Sequence, residues 1–210
     1  MIEAENLEVE KGGSLVLSVA SFTAEVGAVT GLIGPSGCGK STMLNCLGLL
    51  ERVDRGTLRI DGMDLTRPSN AQRGKFWKDR AAFVFQDYGI IEDWTAQENI
   101  LLRKTGRFSR TRGKSSVYEA LDFVGLTGRG NETASYLSGG EKQRLSIART
   151  LHKKASYIFA DEPTASLDTE NRRRVIDLLT ACAASGATVI VATHDEDMMR
   201  ACDTTYDLRQ

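Results

Sequence analysis

Three stretches of this chain gather residue types that handle phosphate. The first, Gly34-Pro35-Ser36-Gly37-Cys38-Gly39-Lys40-Ser41, fits the pattern G-x-x-x-x-G-K-[S/T] in full. Glycines let backbone N–H groups turn inward around phosphate oxygens, where side chains would obstruct them. The pattern follows a strand-like apolar run, Val29 to Ile33, and precedes Met43, Leu44 and Leu47, an apolar stripe at helical spacing. That context matters, because the start of the following helix adds a partial positive charge to the same place. The candidate ligand-binding positions are therefore Gly34, Ser36, Gly37, Cys38, Gly39, Lys40, Ser41 and Thr42. Lys40 would bridge the β- and γ-phosphates of a nucleoside triphosphate, and the Ser41 hydroxyl would coordinate Mg2+.

The second stretch, Tyr157-Ile158-Phe159-Ala160-Asp161-Glu162, is an apolar run ending in two acids. A strand buried on both faces of a parallel sheet sets carboxylates at its C-terminal tip, beside such a loop. Asp161 would hold Mg2+, directly or through water, and Glu162 would polarise a water for attack on the γ-phosphate. Alone, either acid reads equally well as a helix cap. Beside a phosphate loop, metal-dependent hydrolysis is the stronger reading.

The third stretch is Leu137-Ser138-Gly139-Gly140-Glu141-Lys142-Gln143-Arg144. It offers a hydroxyl, a glycine pair and a helix start aimed at anionic oxygens. Ser138 and Glu141 also fit a capping box, a structural role that leaves the helix end free to meet phosphate. This octet resembles the signature of ATP-binding cassette proteins, and other landmarks fall in that family's order. Gln86, in Phe83-Val84-Phe85-Gln86, matches the glutamine that senses metal and water at the hinge with a helical insertion. Asp168, in Ser166-Leu167-Asp168, matches the loop along the dimer seam, and His194 matches the switch histidine at the γ-phosphate.

The resemblance implies ATP and Mg2+ as cofactors and an ATP-dependent homodimer. Ser138, Gly139 and Gly140 of one copy would reach the ATP held by the other, with Asp168 beside them. Glu162, His194 and Gln86 would be the catalytic set, and Ser41, Gln86 and Asp161 the metal set. His152 lacks any such context and reads as a surface helix residue.

The elements that must position these residues follow from periodicity. Strand-like runs at Ile2 to Glu8, Leu15 to Ala20, Ala28 to Ile33 and Thr57 to Ile60 fill the first third, and Ala81 to Phe85 follows. From about Ile91 to Leu151 the pattern turns helical, with Val117, Leu121 and Val124 on one face and Leu145, Ala148 and Leu151 on another. Strands return at Tyr157 to Ala160 and Thr188 to Ala192, around a helix near Glu170 to Ala184. The expected fold is α/β: a P-loop, RecA-like core with an antiparallel β edge and a helical subdomain insertion. Residues 1–87 and 151–210 would form the core, and about 88–150 the insertion.

Bulk properties exclude several classes. At 210 residues, 41% hydrophobic and 26% charged, the chain reads as one ordinary globular unit. A formal net charge of −1 gives no field for nucleic acid or an anionic membrane. No apolar run approaches the roughly 20 residues that cross a bilayer, and the acidic start lacks a leader pattern. Cys38, Cys46, Cys182 and Cys202 show neither disulfide nor zinc spacing, which suits a reduced cytosol.

Two departures stand out. The family stacks adenine on an aromatic near the first strand pair, but Glu8-Val9-Glu10-Lys11-Gly12-Gly13-Ser14 has none, and Phe22 reads as core. Base stacking contributes about 1–3 kcal/mol, so weak discrimination between ATP and GTP is expected. Cys38 sits inside the phosphate loop, where it serves as a small residue fitting the turn or, in a sharper reading, as a redox-sensitive thiol.

Phe83 to Gln86, continuing through Tyr88 and Ile90-Ile91 to Thr95-Ala96-Gln97-Glu98-Asn99-Ile100, is similar to the lipoprotein-releasing, macrolide-exporting and antimicrobial-peptide-resistance branch. That resemblance implies a separate transmembrane permease as partner, no nucleic acid, and a peripheral place at the cytoplasmic face of the membrane. The work implied is export or extrusion of lipoprotein, peptide or hydrophobic compound. The rival is a soluble cassette ATPase acting on ribosomes or DNA; one phosphate loop and an insertion of about sixty residues, without a long coiled coil, argue against it. Six basic residues (Arg103, Lys104, Arg107, Arg110, Arg112, Lys114) without an acid form either a solvated face or a contact with permease or lipid.

Overall fold

The computed structural model describes residues 1–104 and 114–209. Among the described residues, two sheets carry the strands. Strands β1 (Ile2–Lys11), β2 (Ser14–Ala24), β4 (Arg55–Ile60) and β5 (Met63–Asp64) form an antiparallel sheet in the order β2-β1-β4-β5. Strands β6 (Ala81–Val84), β7 (Tyr157–Asp161), β8 (Thr188–Ala192), β3 (Val29–Ile33) and β9 (Thr204–Asp207) form the second, in the order β6-β7-β8-β3-β9, and every pairing in it is parallel. This is the α/β architecture expected, with its antiparallel edge.

Alternation along the parallel strands explains why they read as continuous apolar runs. In β7, Tyr157 and Phe159 face the antiparallel sheet, while Ile158 and Ala160 face the opposite side. Val189 and Val191 of β8 divide from Ile190 and Ala192 in the same way. Helix α1 (Lys40–Leu47) lies between the sheets, burying Met43, Leu44 and Leu47 as its spacing predicts, and Cys46 with them. Phe22 lies in this same core at 3% exposure, edge-on to Tyr206 at 5.5 Å.

The other face of the parallel sheet is covered by α5 (Gly139–Lys153) and α6 (Thr169–Ala184). Helices α3 (Ala96–Leu101) and α4 (Lys114–Phe123) pack on α5, with Val117, Leu121 and Val124 buried together. The stretch from Ile91 to Leu151 is less helical than its pattern suggests. A turn closed by the Leu126 N–H on the Leu121 carbonyl (2.8 Å) ends α4, and a 3-10 turn at Ala134–Tyr136 precedes α5. Two further helices, α2 (Asn70–Asp79) and α7 (Glu196–Arg200), carry no clear sequence signal of apolar periodicity. Among the described residues no helix is long and apolar enough to cross a membrane. Arg107, Arg110 and Arg112, and the side chain of Lys114, lie outside the description, so the basic run is not placed.

Candidate nucleotide-hydrolysis site

Strand β3 delivers the chain to Gly34, and α1 leaves at Lys40. Between them Gly39 takes φ of 100°, and a Cβ there would meet the Val16 carbonyl at 3.1 Å. Only glycine makes that turn without strain. Lys40 is 7% exposed, and its ammonium donates to the carbonyls of Gly34 (2.8 Å) and Pro35 (3.1 Å). It also stands 4.0 Å from Glu162 Oε1. A buried ammonium held mainly by carbonyls is one that anionic oxygens would satisfy better.

Asp161 ends β7, which β8 separates from β3, and the Ser41 hydroxyl donates to its Oδ1 at 3.1 Å. Burial lifts the Asp161 carboxyl above its ordinary value; Glu162 adds to the rise, and Ser41 and Lys40 oppose it. A carboxylate so placed gains from a nearby cation. Glu162 follows with φ of 45°, outside the extended strand, and its N–H bonds the Ala192 carbonyl at 2.8 Å. A non-glycine residue in this region costs about 1–3 kcal/mol, and such strain collects at functional sites. The turn brings Glu162 Oε1 to 2.8 Å from His194 Nδ1, while the His194 N–H reaches Oε2 at 3.4 Å.

Lys40, Ser41, Thr42, Gln86 and Glu162 line one cavity of about 360 Å3, together with Ser36, Gly37 and Gly39. Lys11 and Val16 line it as well. Gln86 is exposed, just beyond β6, and with Asp161 lines an adjoining depression. Cys38 is partly exposed, and its Sγ occupies the space where a Cβ on Gly34 would fall.

Ser138, Gly139, Gly140 and Asp168 line neither of these spaces. Ser138 caps α5 in the anticipated capping box: its hydroxyl accepts the Glu141 N–H at 3.3 Å, and Glu141 Oε2 accepts the Ser138 N–H at 2.8 Å. Asp168 caps α6 through the Asn171 N–H at 2.8 Å. Asn171 Nδ2 also donates to Asp168 Oδ2 at 2.7 Å, and Arg144 donates to Asn171 Oδ1. A Cβ on Gly140 would lie 2.4 Å from Asn171 Cγ. The α5 start and the Asp168 turn are thus joined through Asn171, a residue that sequence reasoning passed over; its only sequence mark is the i+3 position after the cap. Gln143 was missed likewise: it is 1% exposed and donates to the Pro163 carbonyl at 2.8 Å, tying α5 to the turn after Glu162. His152 is half-buried, with Nδ1 3.1 Å from the Ser116 hydroxyl. It ties α5 to α4 instead of standing on an open helix face.

A phosphate loop between β3 and α1, a buried lysine, and a serine–aspartate pair at the tips of a parallel sheet define a P-loop nucleotide hydrolase. A family model described as ABC transporter matches residues 17–165, and the chain belongs to the ATP-binding cassette transporter family as an ATP-binding, ATP-hydrolysing subunit. It is 34% identical over 212 residues to the lipoprotein-releasing system ATP-binding protein LolD of Porphyromonas gingivalis, covering 100% of this chain and 96% of that one. It is also 34% identical to the uncharacterized ABC transporter ATP-binding protein YvrO of Bacillus subtilis, over 92% of this chain and 85% of that one. Among solved structures, the dimeric cassette MJ0796 bound to ADP and Pi superposes with a TM-score of 0.85 at 30% identity, covering 99% of this chain and 94% of that one.

Proposed function

We propose that two copies of this chain close head to tail around two ATP molecules and drive a separate membrane permease from its cytoplasmic face. One observation carries the reading: Lys40, Ser41, Gln86 and Glu162 share a cavity that Ser138, Gly140 and Asp168 of the same chain do not reach. A second copy would bring those residues to it, presenting the start of α5 to the γ-phosphate. Residues of about 88–150 would act as the lobe that carries this helix.

Lys40 would neutralise the β- and γ-phosphates, and His194 would meet the γ-phosphate. The Ser41 and Asp161 oxygens, 3.1 Å apart, are the hard donors that Mg2+ takes alongside phosphate and water, and Gln86 would complete the set. Bound there, Mg2+ would withdraw charge from the phosphate oxygens. Glu162 would accept a proton from the attacking water as the new O–P bond forms and the bond to the departing ADP oxygen breaks. The proton then leaves with phosphate or solvent. In the resting arrangement Glu162 is engaged by His194, so ATP would have to draw His194 towards the γ-phosphate to free the carboxylate.

The relatives named for lipoprotein release support export of lipoprotein, or of a peptide or hydrophobic compound, as the work performed. Glu162→Gln tests the scheme. ATP binding should persist, turnover should fall by about a hundredfold or more, and dimers should accumulate with ATP. A variant that remains monomeric with ATP would remove either the role of Glu162 or the sandwich. Captured gently from cells in its ATP-locked form, the same variant should bring down one integral membrane protein in stoichiometric amount. Recovery of ribosomal or DNA-associated proteins alone would overturn the transport reading.

A further inference from the structure

The hydrolytic cavity has a direction. Glu162 and Lys40 mark the end where a terminal phosphate would sit, because the ammonium and carboxylate are 4.0 Å apart there. Ser41 faces Asp161 on the same side. Thr42, the next residue of α1, faces the other way: its hydroxyl lies 3.4 Å from the Lys11 ammonium. The nucleoside-proximal phosphate would therefore meet Thr42 and Lys11, with base and ribose beyond them.

What stands at that end is sparse. Lys11 is the last residue of β1, and the Gly12-Gly13 turn leads from it to Ser14, its partner on β2. Val16, 37% exposed, is the one apolar side chain among the lining residues described. Among the described residues no aromatic ring lines the cavity, and Phe22 is committed to the core. Lys11 is held over the cavity by Glu51 Oε1 at 2.5 Å, while the other Glu51 oxygen is buried without a partner. The ammonium is thus fixed on a short hairpin and points at the start of α1.

We infer that Lys11 is the cationic anchor for the phosphate nearest the nucleoside, and that the site accepts purine and pyrimidine triphosphates with little regard to the base. The inference rests on reading this cavity as the nucleotide site. A charge on phosphate is blind to the base, whereas a stacked ring is not. Glu51 acts as a positioning residue that keeps Lys11 extended until phosphate takes over as its partner.

The test is the affinity of the purified full chain for ATP, GTP, CTP and inorganic tripolyphosphate, measured by titration calorimetry at two salt concentrations. With no ring to stack on, the three nucleotides should bind within about threefold of one another. Lys11→Ala should weaken all of them by roughly five- to tenfold and flatten the salt dependence, and Lys11→Arg should restore both. Lys11→Tyr should instead open a preference for ATP over CTP of about fivefold or more. A wild-type protein that prefers ATP by tenfold or more, or a Lys11→Ala variant with unchanged affinities, would overturn the inference. Lys40→Ala separates the two levels. If it abolishes binding while Lys11→Ala does nothing, the anchor fails and the site stands; if it leaves binding intact, both fall.

Discussion

The four cysteines illustrate how burial sorts otherwise similar chemistry. Cys46 is fully buried, and burial, with Glu51 adding to it, pushes its thiol up to about 12. Burial likewise raises Cys182 and Cys202 to about 11. Thiolate is the reactive form, so Cys46 and Cys182 are protected twice, by access and by protonation, whereas Cys202, partly exposed, is protected by its raised pKa alone. Cys38 sits partly exposed in the phosphate loop, where a nucleotide would cover it. Iodoacetamide at pH 8 should therefore label Cys38 first in the folded protein, and ATP should suppress that label. Cys46 reacting at a comparable rate would contradict the packing of α1. Protection of Cys38 by ATP but not by AMP would place the triphosphate, and not the nucleoside alone, over the loop. Glu162 reaches its place differently, through a backbone turn at φ of 45° that no motif announces. The sequence identifies the acid; the strand tip and the Ala192 carbonyl decide where it points.

Elements differ in how plainly the sequence declares them. Strands β3, β7 and β8 are legible because burial on both faces demands uninterrupted apolar residues, and α1 because its stripe follows the phosphate loop. The cap of α5 is legible because a capping box is local, needing only Ser138 and Glu141 three residues apart. Helix α2 escapes notice because Phe76 is its one fully buried residue, with Trp77 only partly buried beside it and most other positions polar, although Ser69 and Gln72 form a capping box of their own. Strand β9, Thr204–Asp207, has no apolar run and exists because β3 offers it a parallel edge. The bonds from Arg144 to Asn171 and from Gln143 to Pro163 are tertiary, so no spacing reveals them. The α5 cap also carries a pH dependence. Burial works to raise the Glu141 carboxyl, but the Ser138 amide and hydroxyl, with Arg129, more than offset it, and the pKa falls below its ordinary value. The contribution of a group depressed in this way is complete above the unfolded value of about 4.3 and is lost as pH falls through the folded one. Glu141→Ala should cost about 1 kcal/mol in urea denaturation between pH 5 and 8. The gap between wild type and variant should narrow as pH drops below about 4. A gap of constant size down to acid unfolding would mean that the carboxylate charge plays no part in the cap.

At the scale of the whole molecule, the separation between the hydrolytic cavity and the α5 start carries the strongest consequence. On the proposed reading, one chain holds the hydrolytic residues and the signature but does not set them face to face, since Ser138 and Gly140 do not line the cavity of Lys40 and Glu162. A closed two-fold pair makes each composite site from different halves of its two chains. Two separate lesions should then complement. Lys40→Ala removes the phosphate contact and leaves the signature intact. Gly140→Ala keeps the loop but sets a methyl group 2.4 Å from Asn171 Cγ, which disturbs Asn171 and its bond to Asp168. Each variant alone should hydrolyse ATP poorly, while Gly140→Ala retains ATP binding as a monomer. Mixed in equal amounts, half of the dimers would be mixed, and each mixed dimer would hold one intact site of two. About a quarter of wild-type turnover should return if pairing is random and one site suffices. Circular dichroism of the separate variants would verify that both are folded before mixing. Recovery would demonstrate that loop and signature act across the interface; two folded variants that stay inactive together, while still forming mixed dimers with ATP, would show that one intact site cannot fire without the other.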